Sequence, residues 1–402
     1  MARHARYVED VATAMSIKFN AYANEMKAAG EDVTILSRGE AYFDIPLHPF
    51  DTLPFPDLYH YSNSGGLVGL RQKLAAYYRT HYGVPVNAPS EIIIVAGSKL
   101  GIHISFMALL EPGDEVVVPE PAWVSYSEQV RLCHGNPIMV PHDVPVMELG
   151  KWVTPRTRAL VVNTPQNPTG RVYTRDELRY LHQVAKEHNL YIVADEAYSD
   201  FLADEEFVSC GLDDPEREHT IICNTMSKNY GMSGWRIGYI ISNARIMEQL
   251  LKISQHLLTC PPTILEQYLE RHFDDILEVT KPQILDVVRK RTLLARYMDE
   301  IGLRYKPGTA TFYFFVSIHD SALGSEDFCM KLLKEKKVCA VPGGGYGESC
   351  DGFVRVGVGT ESLERMKAAL RAIKEMIDAT RRPDTEPAGA EPALAAAGSA
   401  TV

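Results

Sequence analysis

The residues best suited to chemistry lie between Thr225 and Tyr239, in the run Thr-Met-Ser-Lys-Asn-Tyr-Gly-Met-Ser-Gly-Trp-Arg-Ile-Gly-Tyr. Lys228 follows the hydroxyl of Ser227, and Arg236 stands eight positions on, among glycines and an indole. A primary amine held in a fixed place can condense with a carbonyl group to form a Schiff base. A carbonyl cofactor held this way also needs a grip on its anionic end. Ser227 can bond a phosphate oxygen, and the planar fork of Arg236 can donate two hydrogen bonds to it. A surface lysine in a glycine-rich loop would carry the same letters, so the reading depends on partners elsewhere in the chain.

Those partners sit at the ends of apolar runs. Leu190 to Ala194 reads as a strand that ends in Asp195, with Tyr198 three residues later. A carboxylate at a buried strand end is costly without a cation, and a protonated ring nitrogen would serve as one. An edge strand facing solvent would remove that need. Asn163-Thr164-Pro165-Gln166-Asn167-Pro168-Thr169-Gly170 follows a strand from Arg158 to Val162. Ligands of α/β sheets collect at the carboxyl ends of strands. Ile92 to Val95 is a β-branched run that breaks at Ala96-Gly97-Ser98-Lys99 and continues as an apolar helix to Leu110. Small residues at a helix N-terminus leave N–H groups free, with the helix dipole behind them, and so form an anion site. After a strand from Glu115 to Val118 comes Trp123, a flat indole that can stack on a conjugated ring or start a helix in the core.

Together these segments resemble the class I/II pyridoxal-phosphate-dependent aminotransferases, the aspartate aminotransferase fold type I. The resemblance rests on Asn167-Pro168-Thr169-Gly170, Asp195-Glu196-Ala197-Tyr198, Ser227-Lys228 and Gly234-Trp235-Arg236-Ile237-Gly238-Tyr239. Asn167, Asp195, Lys228 and Arg236 follow one another at intervals of 28, 33 and 8. The likeness extends from about residue 15 to residue 378. It implies that Lys228 holds pyridoxal 5'-phosphate as a Schiff base and later moves the substrate's Cα proton. It assigns Asp195 to the pyridine nitrogen, Asn167 and Tyr198 to the phenolic oxygen, and Trp123 to the ring face. Gly97, Ser98, Lys99, Ser227 and Arg236 would form the phosphate cup. Tyr61, spaced before Gly66 and Leu70-Arg71 as in the family, would reach that phosphate from the neighbouring subunit of a homodimer. Arg355, in Phe353-Val354-Arg355-Val356-Gly357, would bind the substrate α-carboxylate, with Gly39 and Asn167 lining the same pocket. A salt-bridged structural arginine would fit the Arg355 strand as well. No metal is implied. The chain departs from the family pattern at Ala41-Tyr42, at Ala122 and at Tyr346, where phenylalanine is usual.

The elements that must position these groups follow from the same resemblance and from local pattern. The fold class is α/β: a large domain with a mostly parallel sheet of the seven-stranded type flanked by helices, plus a smaller α+β domain built from both termini. Residues 1–50 and 301–378 would form the small domain, 51–300 the large cofactor-binding one, and 379–402 a disordered Pro/Ala-rich tail. Local signals predict a helix from Val11 to Ala29 stopped by Gly30, a strand from Val33 to Leu36, and a capping box at Thr174 and Glu177. A strand is expected from Trp235 to Ile241. Helices should run from Asn243 to Asp299, broken at Thr259-Cys260-Pro261-Pro262, with a long charged helix starting at Lys281. Strands from Thr311 to Val316 and Val354 to Val358 and a helix from Glu361 to Ile377 should follow.

Composition bounds the partners. A net charge of -11 argues against nucleic acid or an anionic membrane. Seven scattered cysteines with no Cys-x-x-Cys pair fit reduced thiols in the cytoplasm. Neither a signal peptide nor a membrane-spanning run is visible. The function expected is transfer of an amino group between an L-amino acid and a 2-keto acid. The same carbanion chemistry would serve a rival: an oxidase, hydroxylase, decarboxylase, or β/γ-elimination or replacement enzyme of a specialised pathway. A second rival is a ligand-sensing domain of a transcription regulator, disfavoured by the acidic charge. Aromatic, aspartate-type and basic substrates all stay open.

Overall fold

The computed structural model describes residues 4–203 and 205–383. Its strands are short, mostly apolar runs. In chain order they are β1 (Thr34–Ile35), β2 (Ile92–Val95), β3 (Glu115–Pro119), β4 (Asn136–Val140), β5 (Thr157–Asn163), β6 (Tyr191–Asp195), β7 (Thr220–Thr225) and β8 (Gly238–Ile241). Then come β9 (Tyr313–Ser317), β10 (Val338–Cys339), β11 (Val341–Pro342) and β12 (Phe353–Gly357).

Seven of these form one sheet in the order β2-β8-β7-β6-β5-β3-β4. Only β8 runs against its neighbours, and the remaining pairs are parallel. Strands buried on both faces need cover on both. Their side chains alternate accordingly. Ile94, Leu160, Ile192 and Ile222 meet Leu70 and Leu74 of the helix Val68–Tyr82 and Leu178 and Leu181 of the helix Arg175–His188. Ile93, Val161, Val193 and Ile221 point the other way, towards the helices Ser98–Leu109 and Ala244–Leu257. This is the α/β sheet that the sequence led us to expect.

A second core brings both ends of the chain together. β1 pairs with β10 in parallel, and β11-β12-β9 form an antiparallel sheet. Phe19 of the helix Met15–Ala28, Leu332 of the helix Ser325–Lys336 and Leu370 of the helix Leu363–Ala379 pack with Phe314 and Val354.

The Thr174–Glu177 capping box is present in both directions, Thr174 accepting from the Glu177 amide and Glu177 from the Thr174 amide. Three expectations are corrected. The long helix does not start at Lys281 but runs from Thr263 to Glu300, through Pro282, and kinks at His272. Proline favours first turns, but here packing in both cores holds the helix on either side of it. The stretch after Lys228 is not a strand from Trp235. Ser233–Trp235 is a tight helical turn, Arg236 is left-handed (φ 57), and pairing with β7 starts at Gly238. Most other boundaries shift by a few residues. The start of the expected disordered tail is ordered instead: Ala379 ends the last helix, Arg381 forms a β-bridge with Ser321 and the Arg382 amide donates to Asp320 O (2.9 Å), while residues 384–402 lie outside the described residues.

Candidate active site

The strand register gathers the chemistry. Asn163 at the end of β5 is level with Asp195 at the end of β6, and Asp195 is level with Cys223 of β7, two residues before the turn that carries Lys228. These carboxyl ends open into a cavity of about 510 Å³. Gly39, Gly97's neighbours Ser98 and Lys99, Trp123, Asn167, Asp195, Tyr198, Ser227, Lys228 and Arg236 are brought to its wall or edge.

One end of the cavity gathers groups that could hold an anion. The helix Ser98–Leu109 starts after Gly97 (φ 82, ψ 155) with no side chain capping it. Two glycines let the surrounding backbone close in. A Cβ on Gly97 would lie 2.3 Å from Arg236 Nη2, and one on Gly238 would lie 2.4 Å from the Ser98 amide nitrogen. Arg236 Nη1 donates to Ser233 O (2.6 Å), which aims the guanidinium across Gly97. Thr225 Oγ1 donates to Ser227 Oγ (2.8 Å) and accepts from the Ser227 amide (3.1 Å). Lys99 Nζ lies 4.9 Å from the Trp123 ring centre, and burial, then Arg236, lower its pKa.

At the other end, Lys228 Nζ donates to Gly39 O (2.5 Å) and lies 5.6 Å from the Tyr198 ring centre. Burial, and then the positive charge of Arg355, lower its pKa to about 8. Asp195 is buried, and burial raises its pKa. Its carboxylate accepts from Tyr126 Oη (2.7 Å) and the Ala197 amide (3.2 Å), and forms no ion pair among the described residues. The Tyr198 and Tyr313 hydroxyls are 3.1 Å apart.

Arg355 lies one residue behind the cavity wall. Nη1 donates to Asn167 Oδ1 (3.3 Å) and Nη2 to Ser37 O (2.7 Å), while Nε is buried with no partner among the described residues. Its guanidinium lies 4.4 Å from the Tyr313 ring centre and 5.6 Å from that of Tyr346. No carboxylate pairs with it among the described residues, so a salt-bridged structural role is not what the geometry shows. Tyr61 is outside the cavity, with 85% of its surface exposed.

Sequence reasoning missed Tyr126, Thr225, Asn163 and Tyr313. Thr225 had a local signal: a hydroxyl residue ending a strand just before a short helix is a cap, and its side chain does accept from the Ser227 amide. Asn163 accepts from the Asn167 amide four residues on (2.8 Å) and donates across the fold to Asp195 O (2.9 Å), while Tyr126 and Tyr313 meet their partners only through the fold.

The fold and site define an α/β enzyme with a half-buried amine, a buried carboxylate lacking a cation, an uncapped helix end and a buried guanidinium lacking a carboxylate. Such a donor set fits an aromatic cofactor with a basic ring nitrogen and a phosphate. The chain matches the family described as aminotransferase class I and II over residues 24–373. It is 32% identical to aromatic-amino-acid aminotransferase 2 of Thermococcus litoralis, covering 86% of this chain and 93% of the relative. It is likewise 32% identical to an aspartate aminotransferase of Pyrococcus abyssi, covering 87% and 95%. The aspartate aminotransferase of Thermus thermophilus, solved with maleate, superposes with a TM-score of 0.85 at 30% identity, covering 94% of this chain and 100% of that one. The chain belongs to the class I/II aminotransferase family. It is a pyridoxal-phosphate-dependent aminotransferase, and these relatives give no support to the oxidase, elimination or replacement readings.

Proposed function

We propose that this cavity moves an amino group between an L-amino acid and a 2-keto acid by a division of labour among the residues above. When bound, pyridoxal phosphate supplies the carbonyl that takes up the amino group and the ring that draws electrons from the substrate Cα. Gly97, Ser98, Lys99, Ser227 and Arg236 would hold its phosphate, Trp123 its face, Asn167 and Tyr198 its phenolic oxygen. Asp195 would keep its ring nitrogen protonated, which is the cation that this buried carboxylate lacks. Lys228 is the amine of attachment and then the base and acid that carries the Cα proton; its lowered pKa gives a larger share of free amine near neutral pH than an ordinary lysine has, although the protonated form still dominates there. Arg355 orients the substrate by its α-carboxylate, with Gly39 and Asn167 beside it.

The observation that carries this reading is the meeting of a half-buried amine and a buried carboxylate without an ion pair in one cavity wall, with a buried guanidinium that no carboxylate among the described residues pairs just behind it. The exposed Tyr61 supports a homodimer in which this side chain serves the neighbouring site. Two cores, one on each half of the long helix, support a division into residues 51–300 and a small domain from 1–50 and 301–378. Cysteines that are all free support a cytoplasmic setting, and among the described residues no helix is long and apolar enough to cross a membrane. The relatives' names make aspartate and the aromatic amino acids the first donors to try.

The test is to mix cofactor-loaded protein with single amino acids, without a keto acid, in air and without oxygen. Conversion of the cofactor to its amino form with one equivalent of keto acid, independent of oxygen, is the expected result. Oxygen uptake, or repeated turnover to an eliminated or substituted product, would overturn it.

A further inference from the structure

Tyr346 stands where the pattern of the resembled family has phenylalanine. It closes the helical turn Gly343–Tyr346 after β11, and its carbonyl accepts from the Ala122 amide (2.8 Å), next to Trp123. Its ring packs edge-on against Phe315, with 5.7 Å between centres. The side chain is 1% exposed, and its hydroxyl has no hydrogen-bond partner among the described residues. A buried hydroxyl without an acceptor is destabilising, and phenylalanine would avoid that cost at the same shape. The other unpaired polar atom in this corner is Arg355 Nε, on the guanidinium that faces the same ring. Each of these two atoms can donate a hydrogen bond. An acceptor with several lone pairs satisfies such donors, and a carboxylate is a group of that kind.

We propose that the Tyr346 hydroxyl donates a hydrogen bond to the substrate carboxylate that Arg355 binds, making Tyr346 a second carboxylate-recognition residue. The inference rests on the reading of Arg355 given above. Tyr346 and Trp123 also wall a neighbouring cavity of about 640 Å³, so the competing use of the hydroxyl is to read the substrate side chain there.

The experiment compares the cofactor-loaded parent, Tyr346→Phe and Arg355→Gln. Each is titrated with 2-methylalanine, which has a carboxylate but no Cα–H to lose, and assayed for kcat and KM with the preferred donor and with donors of other side-chain classes. Loss of a hydrogen bond to a charged group predicts binding and KM weaker by about tenfold or more in Tyr346→Phe. The factor should be the same for every side chain, kcat should change little, and Tm should not fall. Unchanged binding and KM, a loss confined to one class of side chain, or a lower Tm would overturn the proposal. If Arg355→Gln keeps the parent's KM, the reading of Arg355 fails and this inference with it. If only Tyr346→Phe is silent, Arg355 stands and Tyr346 alone falls.

Discussion

Replacing Gly97 by alanine tests the phosphate grip without touching the reacting amine. Gly97 has φ 82 and ψ 155, a region that costs other residues about 1–3 kcal/mol. The new Cβ would stand 2.3 Å from Arg236 Nη2 and 3.1 Å from its Cζ. Both neighbours belong to the far end of one flexible side chain, so the guanidinium can swing away and leave the fold intact. The arginine then no longer reaches the anion site. A hydrogen bond to a charged group is worth about 1.5–3 kcal/mol, so the cofactor should bind about 10- to 150-fold more weakly. Titration of cofactor-free protein with pyridoxal phosphate, followed by absorbance, measures this. In an Arg236→Met background the same change should add little to the loss, because both act on one contact. Affinity within about threefold of the parent for Gly97→Ala, or full additivity of the two losses, would refute the reasoning.

Three further outcomes can be checked directly. Because Lys228 has a pKa of about 8, capture of pyridoxal phosphate by cofactor-free enzyme should speed up with pH and level off above that value. The unfolded chain keeps this proton up to the ordinary value of 10.5, so stability should rise with pH between about 8 and 10.5, and Lys228→Met should flatten that rise in pH-dependent melts. Tyr126→Phe removes the 2.7 Å donor to Asp195; the carboxyl pKa should rise further, and kcat should fall by roughly 10- to 100-fold in steady-state assays. Arg291 is buried, donating from Nε to Tyr313 O (3.0 Å) and from Nη2 to Thr169 O (3.2 Å). Arg291→Met leaves both carbonyls without these donors and should cost about 2–4 kcal/mol in denaturant melts, less than two full charged hydrogen bonds because a buried charge is also removed.

The candidate site was legible because its residues punctuate apolar runs. Asp195 closes β6, Asn167 follows β5, Lys228 follows β7, and the parallel register then sets their groups side by side. Local pattern could not show Tyr126, which reaches Asp195 across 69 positions, because no short-range signal encodes a contact made by folding. The long helix was misread at Pro282. A proline reads as a helix start when neighbours are ignored, and burial of Ile284, Val287 and Val288 on its far side outweighs that preference. Arg236 was read into a strand because its flanks are apolar, whereas the fold uses it as a left-handed turn to aim its own guanidinium.

The helix from Thr263 to Glu300 also constrains how this chain can evolve. Its first half seats Leu269, Phe273 and Leu277 in one core, and its second half seats Ile284, Val288 and Leu294 in the other. Each residue added or lost between Leu277 and Ile284 would turn the far half by about 100° and shift it by about 1.5 Å. Every apolar contact beyond the change would then face the wrong way, and β9 with Arg291's two carbonyls would lose its anchor. Exposed positions along this segment are therefore free to drift in residue type but not in number, so that lineages descending from this sequence should vary the lettering of the helix while keeping its length.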